Sequence, residues 1–291
     1  MDNSYYIHGV NGPVVTVRGG RSLPMMSVVY VGELRLVGEV VAARGDSTTV
    51  QIYEDSAGLG YGQPVYPTGK PMSVLLGPGM LGNIYDGIAR PLETIEAQAG
   101  SFIARGITLP AIDLNKKWEV SVEISEGESV KGGQIFARCR ETGAIEHRSM
   151  VPPGVSGTAT EVRPSGEYTA DEPIAVVVDG RGRRTPLTLA QTWPIRKPRP
   201  VAARLPIDRP LVTGQRVIDT LFPVGKGGCA AIPGPFGAGK TMVQHQLAKW
   251  SDADIIVYLG CGERGNEMTQ VLDEFAELKE DRKSTRLNSS H

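Results

Sequence analysis

The run Gly234-Pro235-Phe236-Gly237-Ala238-Gly239-Lys240-Thr241 fits the pattern GxxxxGK[ST] and constrains this chain more than any other feature. Such a run works only where a strand ends, the backbone turns tightly on glycines and a helix begins, so it demands local α/β structure. The flanks read that way. Cys229-Ala230-Ala231-Ile232 is a short apolar run predicted as the strand, and Val243, Leu247 and Trp250 follow at i, i+4 and i+7, the spacing of one helix face. In that setting the glycines let backbone N–H groups converge on a phosphate, and the helix N-terminus adds its positive end. Lys240 supplies a cation and the Thr241 hydroxyl can ligate magnesium. The pattern is read as a nucleoside-triphosphate site rather than as a glycine turn that only caps a helix. A GxGxxG dinucleotide site fits poorly, because the order here is GxxGxG.

A second cluster, Gly260-Cys261-Gly262-Glu263-Arg264-Gly265, follows the continuous apolar run Ile255 to Leu259, expected to be a strand buried on both faces. Carboxyl ends of neighbouring parallel strands share one edge of a sheet, which would bring Glu263 near phosphates held by the 234–241 loop. A carboxylate there can orient water for in-line attack on a γ-phosphate, and the Arg264 guanidinium can meet the transferring oxygens. The plain alternative is a solvated Glu-Arg turn. Met268, Val271, Leu272, Phe275 and Leu278 then mark the apolar stripe of a further helix. Ile174 to Val178 before Asp179 imitates a magnesium-associated strand, but it precedes the phosphate loop and is read as structural. His8, His147, His245 and His291 make no metal-ligand spacing, His245 is expected to be structural, and neither GxSxG nor HExxH occurs.

Upstream the character is β. Val14–Val17, Ser27–Val31, Gly38–Val41 and Thr48–Tyr53 are short β-branched runs separated by glycine-bearing turns, the pattern of a small barrel over about residues 1–70. The 36 Gly and 21 Pro fit many turns and short strands. Residues 71–96 read as a closely packed, glycine-dense connector. A second β-rich region over about 110–185 includes Trp118–Val122, Gln134–Ala137 and Ile174–Val178, and the prolines from Pro194 to Pro200 mark a boundary after it. With 31 Lys+Arg against 32 Asp+Glu, a strong basic field for duplex nucleic acid is excluded. Cys139, Cys229 and Cys261 suggest neither a disulfide framework nor a zinc knuckle. No run reaches the apolar length of a membrane span, and a soluble, cytoplasmic chain is expected.

These motifs, with Gly12-Pro13-Val14-Val15, Leu76 to Gly82, Tyr85 to Ile88 and Pro210 to Asp219, resemble the catalytic A (alpha) subunit of V/A-type rotary ATPases, over about residues 5–280. The resemblance implies a mixed β and α/β fold: an N-terminal β-barrel at 1–70, an incomplete RecA-like P-loop nucleotide-binding domain at 71–109 and 186–280, and a β-rich bulge module inserted at 110–185. It implies ATP/ADP and Mg2+ as ligands, held by Gly234 through Thr241, with Thr241 on the metal. Lys240 and Arg264 would hold the β- and γ-phosphates and Glu263 would position water. Its partners would be B subunits in an alternating A3B3 ring, with central-stalk and peripheral-stalk subunits. ATP hydrolysis or synthesis would be coupled to proton or sodium transport, with only indirect membrane contact and no nucleic acid. Hexameric RecA-like export or termination motors are the neighbouring class and lack the 110–185 module. Residues 281–291 are expected to be non-native or disordered, and Ser284 to His291, which have no place in the family, resemble a translated sequencing adapter. The fragment alone would be inactive, because Lys240 and Glu263 lack the family's later magnesium-associated strand and the Arg of a neighbouring subunit.

Overall fold

The computed structural model describes residues 4–20, 22–100, 103–235, 237–278 and 284–290. Its first six strands, β1 (Tyr5–Asn11), β2 (Val14–Arg18), β3 (Ser27–Val31), β4 (Leu36–Arg44), β5 (Ser47–Ile52) and β6 (Pro64–Pro71), close a barrel in the order β1-β2-β5-β4-β3-β6. Alternation drives the closure. Val15, Val17, Val29, Val31, Val50 and Ile52 point inward at every second position and are buried with Ile7, Leu36 and Val40. Truncating a side chain such as Leu36 here would cost about 2–5 kcal/mol.

The compact unit around the barrel also takes in Ile88–Ile112 and Gln191–Pro198, residues that the sequence reading assigned to the other domains. Two buried carboxylates of the barrel account for this. Glu54 accepts hydrogen bonds from Val37 N at 3.2 Å, Arg90 Nη1 at 3.2 Å and Gly106 N at 2.8 Å. Glu39 takes a bidentate pair from Arg196, with Nη2 to Oε2 at 2.9 Å, and the Tyr53 hydroxyl donates to it at 2.6 Å. The segment Gln191–Pro194 pairs antiparallel with β7 (Ser73–Leu76).

The second compact unit contains Gly77–Gly87, Asp113–Ala190 and Arg199–His291. Here β8 (Ile84–Tyr85) is a short strand, and the helix α1 (Leu92–Ala99) that follows it in sequence belongs to the barrel unit, burying Ile95. The β module is a pair of four-stranded antiparallel sheets. Its strands are β9 (Lys117–Val122), β10 (Ser129–Lys131), β11 (Ile135–Arg140), β12 (Glu146–Met150), β13 (Ser156–Thr160), β14 (Gly166–Thr169), β15 (Ala175–Val178) and β16 (Arg184–Leu187). The sheets run β10-β13-β15-β16 and β12-β11-β9-β14, and Trp118, Val120, Phe136, Ala159, Ala175 and Val177 are buried in the module. Asp179 ends β15 in a turn, accepting from the N–H groups of Arg181 and Arg183 at 2.9 Å each, as a structural strand and turn should. The strand β17 is the Gln191–Pro194 segment already paired with β7.

Beyond Arg199 come β18 (Pro210–Leu211), α2 (Arg216–Leu221), β19 (Val224–Gly225), α3 (Lys240–Trp250), β20 (Ile255–Cys261), α4 (Gly265–Leu278) and β21 (Ser284–Ser290). β20, β21 and β8 form a parallel sheet in that order. Two expectations need correction here. Cys229–Ile232 is not a strand: it has no ladder partner among the described residues, and four small side chains cannot hold an extended segment alone. β20 is buried on one face only, with Ile256 and Tyr258 inward and Ile255, Val257 and Leu259 exposed. The tail departs from the expected disorder. Residues 281–283 and 291 lie outside the described ones, but Ser284–Ser290, expected to be non-native or disordered, takes strand form along the whole of β20. Ladder bonds are made by backbone and are largely indifferent to side chains, so a polar segment can fill the place between β20 and β8. Among the described residues no helix is long and apolar enough to cross a membrane.

Candidate functional site

The phosphate-loop pattern folds as a tight turn that opens α3. Gly237 and Gly239 take φ values of 78° and 80°, the left-handed region where a Cβ is strained, and Gly239 caps the helix. Lys240 is therefore the first helical residue, and its Nζ folds back to donate to the Gly234 carbonyl at 2.7 Å. The Ala238 N–H donates to the Pro235 carbonyl at 3.2 Å, which closes the turn. Phe236 lies outside the described residues.

Beside this turn, β20 ends and α4 begins. A cavity of about 480 Å³ is lined by Gly237, Ala238, Gly239, Lys240, Thr241 and Met242 from one side and by Gly262, Glu263, Arg264 and Glu267 from the other. The fold thus brings Lys240, Thr241, Glu263 and Arg264 to one cavity, whereas Gly234 and Pro235 stay in the stem of the loop. Glu267 and Met242 line it too and were not legible as site residues. The signal for Glu267 is its place four residues after Glu263, in the first turn of α4, where a carboxylate meets the positive helix end. A hydrogen bond that the protonated Glu263 donates to Glu267, then burial and the Glu267 charge, push the Glu263 carboxyl up, against the lowering charges of Lys240 and His245. Burial and the charges of Glu263 and Glu267 likewise push up the Tyr258 phenol.

The buried face of α3 is not the one expected. Val243 and Trp250 are exposed, while His245 is buried against β20 and α4, its ring edge-on to Tyr258 with centroids 5.8 Å apart. Among the described residues, groups of three or more His, Cys, Asp or Glu that could cage a metal are absent.

A left-handed glycine turn opening a helix, beside the end of a parallel strand, defines the phosphate-loop class of nucleotide-binding proteins. Comparison with known families narrows this. Three models match in succession: the ATP synthase alpha/beta family beta-barrel domain over residues 7–69, the ATPsynthase alpha/beta subunit barrel-sandwich domain over 109–196, and the family's nucleotide-binding domain over 214–290. The chain belongs to the ATP synthase alpha/beta family. It is 54% identical over 280 residues to the V-type ATP synthase alpha chain of Halothermothrix orenii, covering 96% of this chain and 48% of that protein. It is 52% identical over 273 residues to the A subunit of the A-type ATP synthase of Methanopyrus kandleri, covering 94% of this chain and 46% of that one. The chain thus spans about half the length of the curated relatives it matches.

Proposed function

We propose that this chain carries the phosphate-binding part of the catalytic A subunit of a V/A-type rotary ATPase, coupling ATP hydrolysis or synthesis to proton or sodium transport. The observation that carries the reading is the one cavity shared by Lys240, Thr241, Glu263 and Arg264. In it the Lys240 ammonium exchanges the Gly234 carbonyl for β- and γ-phosphate oxygens, and the backbone N–H groups of Gly237 to Thr241 converge on the same phosphates. Arg264, exposed at the mouth, meets the γ-phosphate. Glu263 holds the attacking water in line, accepting its hydrogen while the bond from the γ-phosphorus to the leaving oxygen breaks. Hard oxygen donors suit Mg2+: the Thr241 hydroxyl reaches the cavity with two carboxylates, and Mg2+ takes few protein oxygens when phosphates supply others. When bound, the metal neutralises charge developing on the phosphate oxygens.

Turnover is proposed to need a neighbouring B subunit in an alternating A3B3 ring, with stalk subunits linking it to a membrane sector. Cytoplasmic placement, peripheral to the membrane, belongs to the same reading. In its support, Arg264 is the one guanidinium among the described residues that line the cavity, and phosphoryl transfer gains from a second supplied in trans. Sedimentation of the purified chain with a B-type subunit of a related ring is expected to show association. The chain alone should release no phosphate from Mg-ATP. Steady release abolished by Lys240→Ala would contradict the need for a neighbour.

A further inference from the structure

The loop bearing Lys240 and the loop bearing Glu263 belong to different elements, and something must hold them in register. Lys240 opens α3 and Glu263 lies two residues before α4, so the separation of the two groups follows the relative placement of those helices. His245, about one and a half turns into α3, is 2% exposed. Its Nδ1 lies 3.1 Å from Glu274 Oε2, about two and a half turns into α4. A carboxylate only accepts, so Nδ1 carries the hydrogen and donates. Glu274 is itself fixed from the other side, since Gln270 Nε2 donates to its Oε1 at 2.7 Å. Around this tie lie Tyr258, Met268 and Val271, packed with Ala248 and Leu272.

We propose that His245 and Glu274 are a positioning pair that locks α3 against α4 and so sets Glu263 at its working distance from the phosphates. Neither side chain lines the cavity, so the pair acts through placement and not by touching the ligand. His245 is the buried member, at 2% side-chain exposure against 30% for Glu274, and a buried imidazole that loses its partner costs free energy that a slide of either helix cannot recover. The inference rests on the nucleotide reading above. It deepens that reading by dividing the site into a part that binds diphosphate, carried by the loop alone, and a part that needs the helix pair.

The test compares two ligands on the full 291-residue chain together with the B-type subunit that the proposed function requires: Mg-ADP, and Mg-ADP with aluminium fluoride, which mimics the transferring phosphoryl group and its in-line water. His245→Leu and Glu274→Leu should each leave the Mg-ADP Kd within about twofold and weaken the aluminium fluoride complex on the order of tenfold. The double variant should be no worse than either single one. His245→Asn, whose Nδ2 can stand where Nδ1 stands, should restore most of the loss. Equal weakening of both ligands, or no rescue by Asn, would reduce the pair to a structural contact and overturn the proposal. Unchanged binding of both ligands in the Leu variants would overturn it as well. Failure of the unaltered chain to bind Mg-ADP at all would instead sink the nucleotide reading, and the pair's role with it.

Discussion

Cys139 lies in β11 at 3% exposure, and burial with the charges of Glu141 and Glu146 pushes its thiol up to about 11. Cys229 and Cys261 are exposed. Titration of the native chain with a disulfide reagent near pH 8 should therefore modify two thiols promptly and the third only after unfolding; three prompt equivalents would contradict the burial. The arrangement of the candidate site was partly open to sequence reasoning, because Gly237, Gly239, Lys240 and Thr241 lie in one short contiguous run that lines the cavity. His245 was legible as structural but not as the buried face of α3. Apolar periodicity counts Val243, Leu247 and Trp250, and a polar residue buried by a partner on another helix gives no periodic signal.

Between elements, buried carboxylates act as fasteners. Glu141, whose side chain is 7% exposed, accepts from Gly79 N at 2.8 Å and Leu81 N at 3.1 Å, tying the β module to the 77–87 segment that leads into β8. Burial pushes this carboxyl up, but the His147 imidazole 3.7 Å away and the hydrogen bonds from Leu81 and Gly79 outweigh it, so it sits below its ordinary 4.5. A depressed carboxyl adds stability that is complete above that ordinary value and fades as pH falls through the lower folded one. Hydrogen exchange at residues 79–85 should accordingly rise below about pH 4.5, and Glu141→Gln should make exchange there faster at pH 7 and flatter with pH, at a cost of about 1–3 kcal/mol. An unchanged acid limb in that variant would contradict the assignment.

The second fastener is Glu39. Its side chain is 1% exposed while that of Arg196 is half exposed, so Arg196→Ala should cost about 1–2 kcal/mol in chemical denaturation, chiefly by leaving the buried carboxylate without its cation. No measurable loss would mean that the Tyr53 hydroxyl satisfies Glu39 alone. At this scale the sequence was a poorer guide. β6 carries Pro64, Pro67 and Pro71 and is not among the runs read as strands, yet it closes the barrel, pairing with β1 at two positions and with β3 in a ladder whose register shifts between Ser27 and Val29. In the β module the unforeseen strands β10, β12, β13, β14 and β16 are short and polar, and antiparallel neighbours rather than propensity define them. Cys229–Ile232 shows the converse, a strand-like run with no ladder to join.

Over the whole chain, the order barrel, β module and phosphate-loop region was readable because each part has its own hydrophobic period and turn chemistry. What ties each compact unit internally was not, since Glu39–Arg196 in the first and Glu141–Gly79 in the second join residues far apart in sequence. The exposed apolar face of β20, with Ile255, Val257 and Leu259 at 41%, 62% and 59%, predicts self-association. Sedimentation velocity should show mass rising with concentration, and Val257→Lys should suppress it; a monomer at all concentrations would contradict this. The most direct test of the account is calorimetric titration of the chain with Mg-ATP beside its Lys240→Ala and Glu263→Gln variants. The account predicts single-site binding to the unaltered chain, loss of at least tenfold in affinity for Lys240→Ala, and near-unaltered affinity for Glu263→Gln. Binding that survives Lys240→Ala undiminished would contradict it.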